Sequence, residues 1–375
     1  MMKEVFGQVF DGLTVLVTGH TGFKGSWLSI WLTELGAQVV GYSLDPPTDP
    51  SNFALSRLSG RMADVRGDVR DFGTLCQTVE RYRPQVIFHL AAQPLVLPSY
   101  REPKETFEVN VGGTVNVLEA VRATRSAKAV VCITTDKVYK NREWLWGYRE
   151  NDELGGHDPY SASKAMAELA ISSYRQSFFA VDRYAEHGVA LASARAGNVI
   201  GGGDWAMHRL VPDCIRAWMN DRPIHLRNPG HVRPWQITLE SLSGYLGLAA
   251  KMLQRDGYRY AEAWNFGPQE RRAVTTEEFI QKAIALWGSG SYVTSTTQTE
   301  VETALLRLNW DKAANRLNWH PVYTWEEALG ETIAWFKVYA RHKVRNEAID
   351  MYDVCADQIR VYTARARQLN LAWTQ

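Results

Sequence analysis

Cysteine is scarce in this chain of 375 residues: four thiols, Cys76, Cys132, Cys214 and Cys355, stand far apart, with no short metal-ligand spacing. That excludes a disulfide scaffold and a cysteine-based metal site, and it is the pattern of a cytoplasmic chain with incidental thiols. An excess of charge of either sign is also missing. Lys and Arg number 42 against 41 Asp and Glu, a formal net charge of +1. No nucleic-acid partner is therefore expected, although a local basic cluster could still grip one phosphate group. No window approaches about 18 uninterrupted apolar residues, which argues against a membrane span. Met1–Asp11 lacks the apolar core that a signal peptide needs. Repeats and low-complexity segments are absent as well. What is plentiful is tryptophan, at 14 residues, which either packs a large core or stacks on a ligand.

At about 150 residues per domain the length predicts two parts. Hydrophobic residues at 45% and charged residues at 22% supply enough apolar side chains for a packed core, so global disorder is not expected. From Leu13 onward, short apolar runs alternate with helical spacings. Leu13–Thr18, Gln38–Tyr42, Gln85–Leu90, Ala129–Thr134 and Val189–Arg195 read as strands buried on both faces. Ser26–Leu35, Phe72–Tyr82, Thr106–Thr124 and Tyr160–Ala180 read as helices between them. This alternation predicts an α/β fold, a doubly wound parallel Rossmann sheet. Beyond Gly201 it fades into segments rich in Arg, Pro, Trp and Gly, which predicts a smaller, mixed α/β substrate-binding lobe at the C-terminal side. The expected division is an NAD-binding domain over 1–195, a substrate lobe over 196–345 interleaved with it, and a charged helical tail over 346–375 on the outside.

Three constellations carry chemistry. Directly after the first strand comes Gly19-His20-Thr21-Gly22-Phe23-Lys24-Gly25, followed by a helix. Gly19 can take the left-handed turn out of the strand, Gly22 lets a pyrophosphate approach the backbone, and Gly25 allows tight helix–strand packing; Thr21 and Phe23 lie between them. The helix start then offers free N–H groups and a positive dipole end to the phosphates. The second is Tyr160-Ser161-Ala162-Ser163-Lys164, whose spacing puts Tyr160 and Lys164 on one helix face. A phenol near pKa 10 is a poor base at neutral pH, and a neighbouring ammonium stabilises its anion. The third is Thr135-Asp136-Lys137, at the end of the Ala129–Thr134 strand, where doubly wound sheets bind their ligands.

The glycine spacing G-x-x-G-x-x-G with a downstream Y-x-x-x-K resembles the fingerprint of the extended short-chain dehydrogenase/reductase family. The resemblance implies NAD as cofactor, with Asp68 and Val69 at the adenine and Leu90, Ala91 and Ala92 where the cofactor crosses the backbone. It implies that Asp45, just past the second strand, holds the ribose hydroxyls; in related enzymes the acid often sits at the position of Ser43. No Arg directly follows that strand to hold a 2′-phosphate, which favours NAD over NADP. It further gives Thr135, Tyr160 and Lys164 catalytic roles at the hydroxyl whose carbon loses its hydride.

Longer strings sharpen the match. Thr18–Trp27, His89–Val96, Glu143–Glu150, Arg195–Trp205 and Arg233–Gln236 are similar to CDP-glucose 4,6-dehydratases, a branch of the sugar-nucleotide 4,6-dehydratases, and the likeness runs from about Gly12 to about Trp335. The resemblance implies dehydration of a nucleoside-diphosphate hexose by oxidation at carbon 4, elimination across carbons 5 and 6, and hydride return to carbon 6. Asp136 then protonates the leaving 6-hydroxyl. Lys137 takes the carbon 5 proton or stabilises the enolate, in an Asp-Lys variant of the commoner Asp-Glu pair. Gln93, Asn198, Arg209, Arg233 and Glu302 are the implied substrate contacts, and no metal is expected. The family also implies a homodimer through a four-helix bundle, built from the helices Thr106–Thr124 and Tyr160–Ala180.

Three positions depart from the branch. Leu97-Pro98 stands where an Arg is usual, Ile237-Thr238 replaces His-Val, and Glu300–Leu308 keeps an acid at Glu302 without the usual histidines. The last two fall where nucleotide or subunit contacts are expected. The alternatives are a dehydratase for another nucleotide sugar, a sugar-nucleotide 4-epimerase on the same fold, or an NAD-binding scaffold without activity. Asp136 and Lys137 argue against the epimerase, which needs no elimination pair.

Overall fold

The computed structural model describes residues 2–226, 228–269, 274–294, 306–345 and 347–375. Seven parallel strands form the central sheet: β1 (Thr14–Thr18), β2 (Gln38–Ser43), β3 (Ala63–Arg66), β4 (Val86–His89), β5 (Ala129–Ile133), β6 (Ala190–Ala196) and, after two short lobe strands and one more at its base, β10 (Ala263–Phe266). Their order is β10-β6-β5-β4-β1-β2-β3. The winding reverses between β1 and β4, and this opens the crevice in which such sheets take ligands. The register pairs Thr18 with His89 at the mouth of that crevice. β4, β5 and β6 are buried along their whole length, which is why they are mostly apolar, with His89, Ser193 and Arg195 as the polar exceptions.

In the second half, β7 (Val199–Ile200) pairs with β9 (Gln236–Ile237), and β8 (Ile224–Leu226) with β11 (Tyr292–Thr294). The chain leaves the sheet after β6, forms β7, β8 and β9, returns to add β10 beside β6, and then lays β11 against β8. The helix Thr238–Met252 is buried at almost every position and lies with the helix Phe23–Glu34 against the sheet.

Phe23–Glu34 is apolar all round, with Trp27, Leu28, Ile30, Trp31 and Leu32 buried. A helix of that kind needs cover on its outer side too, and the tail supplies it. The tail helix Tyr352–Gln368 buries Cys355, Ile359 and Tyr362 there, and Trp31 meets the rings of Tyr362 and Trp373. Inside this layer, the buried carboxylate of Glu240 accepts from the amides of Val322 and Tyr323 at 2.9 and 2.7 Å and from the Tyr362 hydroxyl at 2.6 Å. The tail is thus tied into the core rather than laid upon it. Most tryptophans pack in the same way: Trp27, Trp31, Trp264, Trp319 and Trp335 are fully buried.

One predicted helix differs. Thr106–Thr124 is not continuous: Pro103–Phe107 runs through a π-helical turn, Glu108–Gly112, into Gly113–Thr124. A side chain at Gly113 would strike Val69, its Cβ falling 2.7 Å from a methyl. The wide turn aims Asn110 inward, where its Oδ1 accepts from the Gln93 amide at 2.9 Å and its Nδ2 donates to Ser163 Oγ at 2.9 Å. Single π turns of this type recur at functional sites.

Candidate active site

The glycine turn is shaped by three different demands. Gly19 sits at φ +75°, and a Cβ there would lie 2.7 Å from the Ala91 amide nitrogen. The ends of β1 and β4 therefore touch backbone to backbone. At Gly25 a Cβ would fall 2.1 Å from the Gly19 carbonyl oxygen, so the helix can approach the turn only without a side chain. Gly22 is different: the nearest atom to its Cβ is 3.3 Å away, and the protein itself barely requires glycine there. No side chain caps the following helix, whose first N–H groups are left to a ligand. Together these fit the pyrophosphate of a dinucleotide. Thr21 braces the turn, bonding Ser43 Oγ at 2.9 Å and the Leu44 carbonyl at 3.0 Å, while Phe23 packs under Gly201.

A directional hydrogen-bond chain fixes the crevice floor. The Ala91 amide donates to Thr18 Oγ1 at 3.2 Å, Thr18 pairs with His89 Nδ1 at 2.8 Å, His89 Nε2 with Thr114 Oγ1 at 3.1 Å, and Thr114 donates to the Asn110 carbonyl at 2.7 Å. With both hydroxyls so committed, His89 carries its proton on Nε2. Burial, and behind it the Lys164 ammonium, pushes its pKa down to about 3, so it is a neutral brace.

Thr135, Asp136, Tyr160 and Lys164 are all buried at the carboxyl end of β5. Thr135 caps a short 3-10 turn and donates to Asp136 Oδ1 at 3.0 Å. Its hydroxyl also bonds Tyr160. A side chain on Gly197 would strike Asp136, its Cβ 2.9 Å from Oδ2, so the loop after β6 closes the back of the acid. Burial raises the Asp136 pKa, against the pull of Lys137, the Thr135 hydrogen bond and Lys24. Tyr160 lies in the first turn of the helix Pro159–Ser177, which Asp158 caps by accepting the Ser161 amide at 3.0 Å. Ser99 Oγ accepts the Tyr160 amide at 3.2 Å. The expected easing of the phenol by Lys164 is not seen. Lys164 donates instead to the Ile133 carbonyl at 3.3 Å, and burial brings its pKa down to about 8. Burial likewise pushes Tyr160 up to about 12, with Thr135 and Arg209 pulling down and Asp136 opposing them. Lys137 is half-buried beside Asp136.

The remaining candidates scatter more. Asp45 is 91% exposed and 3.7 Å from Arg66, outside the crevice wall. Asp68 is gripped by Arg70 at 2.6 and 2.9 Å, and Val69 is buried beneath it. Leu90, Ala91 and Ala92 follow β4 along the crevice. Gln93 braces its own loop, its amide bonding Leu95 and Thr106, rather than reaching for a ligand. Asn198, half-buried, has no side-chain hydrogen bond among the described residues. Arg209 pairs with Asp204 at 2.9 Å and is close enough to Tyr160 and Lys24 to shift both. Arg233 lies farther out, in a cavity of about 360 Å³ shared with Arg307, Asn309 and Trp310. Glu302 lies outside the described residues. A larger open depression of about 740 Å³ beside Tyr184 and Tyr258 contains none of these residues. No metal-ligating group and no membrane-crossing helix occurs among the described residues.

Sequence reasoning missed Lys24. Its Nζ donates to Tyr245 Oη at 3.3 Å, and burial, reinforced by Arg209 and Lys164, lowers its pKa to about 7 although Asp136 opposes this. A lysine between glycine-turn residues was visible, but its partners lie in four distant segments.

A reversed-winding parallel sheet, a glycine turn at its crevice and a Tyr-Lys pair beside the neighbouring strand define a short-chain dehydrogenase/reductase of the extended kind. Residues 16–186 match the GDP-mannose 4,6 dehydratase family model. The chain is 50% identical over 333 residues to CDP-glucose 4,6-dehydratase of Salmonella typhimurium, covering 88% of this chain and 92% of the relative. It is 25% identical to dTDP-glucose 4,6-dehydratase of Xanthomonas campestris, over 86% of this chain and 93% of that one. Among solved structures, dTDP-glucose 4,6-dehydratase of Streptomyces venezuelae, with NAD bound, is similar at TM-score 0.73 and 23% identity, covering 87% of this chain and 97% of that one. The chain belongs to the CDP-glucose 4,6-dehydratase family.

The contrast within the glycine turn is testable. Gly22→Ala should fold with a near-unchanged melting temperature yet weaken NAD binding about tenfold or more by titration calorimetry. Gly25→Ala should lower the melting temperature itself. Equal loss of stability in both variants would mean that Gly22 is a packing residue.

Proposed function

We propose that this protein is an NAD-dependent sugar-nucleotide 4,6-dehydratase that converts CDP-D-glucose to CDP-4-keto-6-deoxy-D-glucose and water, a step of 6-deoxysugar biosynthesis. The observation that carries the reading is the gathering of Thr135, Asp136, Tyr160 and Lys164, all buried, at the carboxyl end of β5. The high identity to a CDP-glucose 4,6-dehydratase supports the choice of nucleotide. NAD, held at the glycine turn, would supply the hydride acceptor for carbon 4 and the hydride donor for carbon 6.

The chain's residues do the rest. Gly19, Thr21, Gly22, Phe23 and Gly25 hold the pyrophosphate, with Leu90, Ala91 and Ala92 along the crevice and Asp68 and Val69 at the adenine end. Asp45, being exposed, reaches the ribose only by swinging inward. Thr135 orients the sugar 4-hydroxyl, and Tyr160 takes its proton. Lys164, on the same helix face, supplies the positive charge that this transfer needs. Once carbon 4 is a ketone, the hydrogen on carbon 5 is acidic. Asp136, whose pKa burial raises, keeps a proton for the departing 6-hydroxyl. Lys137 accepts the carbon 5 proton or steadies the enolate. Asn198, Arg209 and Arg233 hold the diphosphate, a role suited to guanidinium forks; Glu302 completes the substrate contacts, while Gln93 braces the loop after β4. This small set of cations meets one diphosphate, in keeping with a chain of net charge +1.

The four cysteines are unpaired, in keeping with a cytoplasmic enzyme. A homodimer through a four-helix bundle accounts for Met166 and Leu169, which stand 46% and 59% exposed on the Tyr160 helix.

Three outcomes test this reading. Incubated with CDP-, UDP-, dTDP- and GDP-glucose in turn, the enzyme should give the alkali absorbance of a 4-keto sugar most strongly with the CDP sugar. Equal or greater signal with another nucleotide reassigns the substrate, and no signal with any excludes dehydration. Asp136→Asn should oxidise carbon 4 and then stall, and Lys137→Met should slow the same elimination, each by about 100-fold or more in turnover; normal turnover in either removes that residue from the chemistry. Leu169→Glu should sediment as a monomer, whereas an unchanged sedimentation coefficient moves the interface elsewhere.

A further inference from the structure

The acid-base loop and the outer cavity are joined by a buried polar chain that touches neither substrate nor cofactor in the reading above. It begins at Glu168, two turns beyond Tyr160 on the same helix. Arg195 on β6 grips Glu168 at 2.9 and 2.8 Å. Its remaining guanidinium nitrogen donates to the Tyr139 hydroxyl at 2.7 Å. Tyr139, 1% exposed, ends the loop that carries Asp136 and Lys137. Its hydroxyl donates to Asn265 Oδ1 at 2.8 Å. Asn265, fully buried on β10, donates in turn to the carbonyls of Tyr148 and Asn309 at 2.8 and 3.1 Å.

The second of these belongs to the cavity wall, and the first is tied to it. Asn309 lines the cavity together with Gly147, Arg233 and Arg307. Tyr148 exchanges backbone bonds with that wall, its amide donating to Arg307 and its carbonyl accepting from Asn309, both at 2.8 Å. Its ring stacks on Tyr139 at 5.1 Å and 17°. One hydroxyl therefore sits between the wall that holds Arg233 and the loop that holds the elimination groups. The loop's other end is held by Thr134 donating to Glu168 at 2.5 Å. The Asp136–Tyr139 side is tied to the wall through Tyr139, besides its backbone bonds from the Gly155 amide to Val138 and from the Lys140 amide to Glu153.

We propose that Tyr139 and Asn265 form a positioning joint through which the cavity wall sets the place of Asp136 and Lys137, so that elimination, more than oxidation, depends on it. The oxidation groups Tyr160 and Lys164 ride on the helix that carries Glu168, and Glu168 keeps its bonds to Arg195, Thr134 and Ser193 when the Tyr139 hydroxyl is removed. The inference rests on the dehydratase reading, and wild-type keto-sugar formation, measured alongside, tests that reading separately.

Tyr139→Phe removes the oxygen and keeps the ring stack. The expected result is turnover about tenfold lower with CDP affinity, by calorimetry, within twofold of wild type. In a single turnover with CDP-glucose, the near-ultraviolet absorbance of reduced nicotinamide should build up where wild type shows little, because the step after oxidation is the one slowed. Asn265→Ala should give the same partition, and also serves if the first variant folds poorly. The double variant should lose no more than the worse single one, since both cut one joint. A merely structural role predicts a lower melting temperature with the wild-type partition between oxidation and elimination. That result, or penalties that multiply in the double variant, overturns the joint.

Discussion

The buried pair Glu168–Arg195 holds the working parts of this protein together. Both side chains are almost free of solvent, at 1% and 3% exposure. Burial alone would raise the Glu168 pKa, but the Arg195 guanidinium and the hydroxyls of Thr134 and Ser193 outweigh it and hold the carboxyl below its ordinary range. Those partners and the carboxylate come from three pieces of the site. Thr134 ends β5, Ser193 and Arg195 belong to β6, and Glu168 extends the helix of Tyr160 and Lys164. Removing one member of such a pair typically costs about 3–5 kcal/mol, because the other charge is left buried and unpaired. A well-packed apolar pair could equal its stability but not fix three elements at hydrogen-bond distances.

Within that frame, burial acts on opposite charges in opposite senses. It raises Asp136 and Tyr160 and lowers Lys24 and Lys164. Neutral forms are favoured all round, which suits a pocket where protons must move in both directions. The chain is electrically balanced as a whole, yet Lys24 and Lys137 both act on Asp136, and Arg209 and Lys164 in turn act on Lys24. The surface charge count gives no hint of this, since the concentration arises from four segments folded onto one spot.

The parts of the site legible in the sequence are those whose chemistry is local. Gly19, Gly22 and Gly25 share one turn, Tyr160 and Lys164 one helix face, and Thr135, Asp136 and Lys137 one strand end. Spacing alone reports such neighbours. Gln93 and Asp45 illustrate the opposite case. Their place in the chain suggested ligand contacts, but the amide of Gln93 is committed to Leu95 and Thr106, and Asp45 projects into solvent next to Arg66. The π turn at Glu108–Gly112 was hidden as well, because the apolar spacing of Val109 and Val117 continues through it while the backbone widens to aim Asn110 inward.

The sequence by itself determined the parallel sheet, since two-sided burial leaves continuous apolar strands, and it determined the dinucleotide turn, since only glycine meets the approaches at Gly19 and Gly25. It also determined the family, through long strings that few folds could share. Tertiary structure alone decided which tryptophans pack, how the tail locks through Tyr362 onto Glu240, and that Lys24 faces Asp136. It also decided that Tyr139 stands between the acid-base loop and the outer cavity. Those contacts join residues tens to hundreds of positions apart, where no periodicity connects them; only the winding of the chain around the sheet brings them within reach.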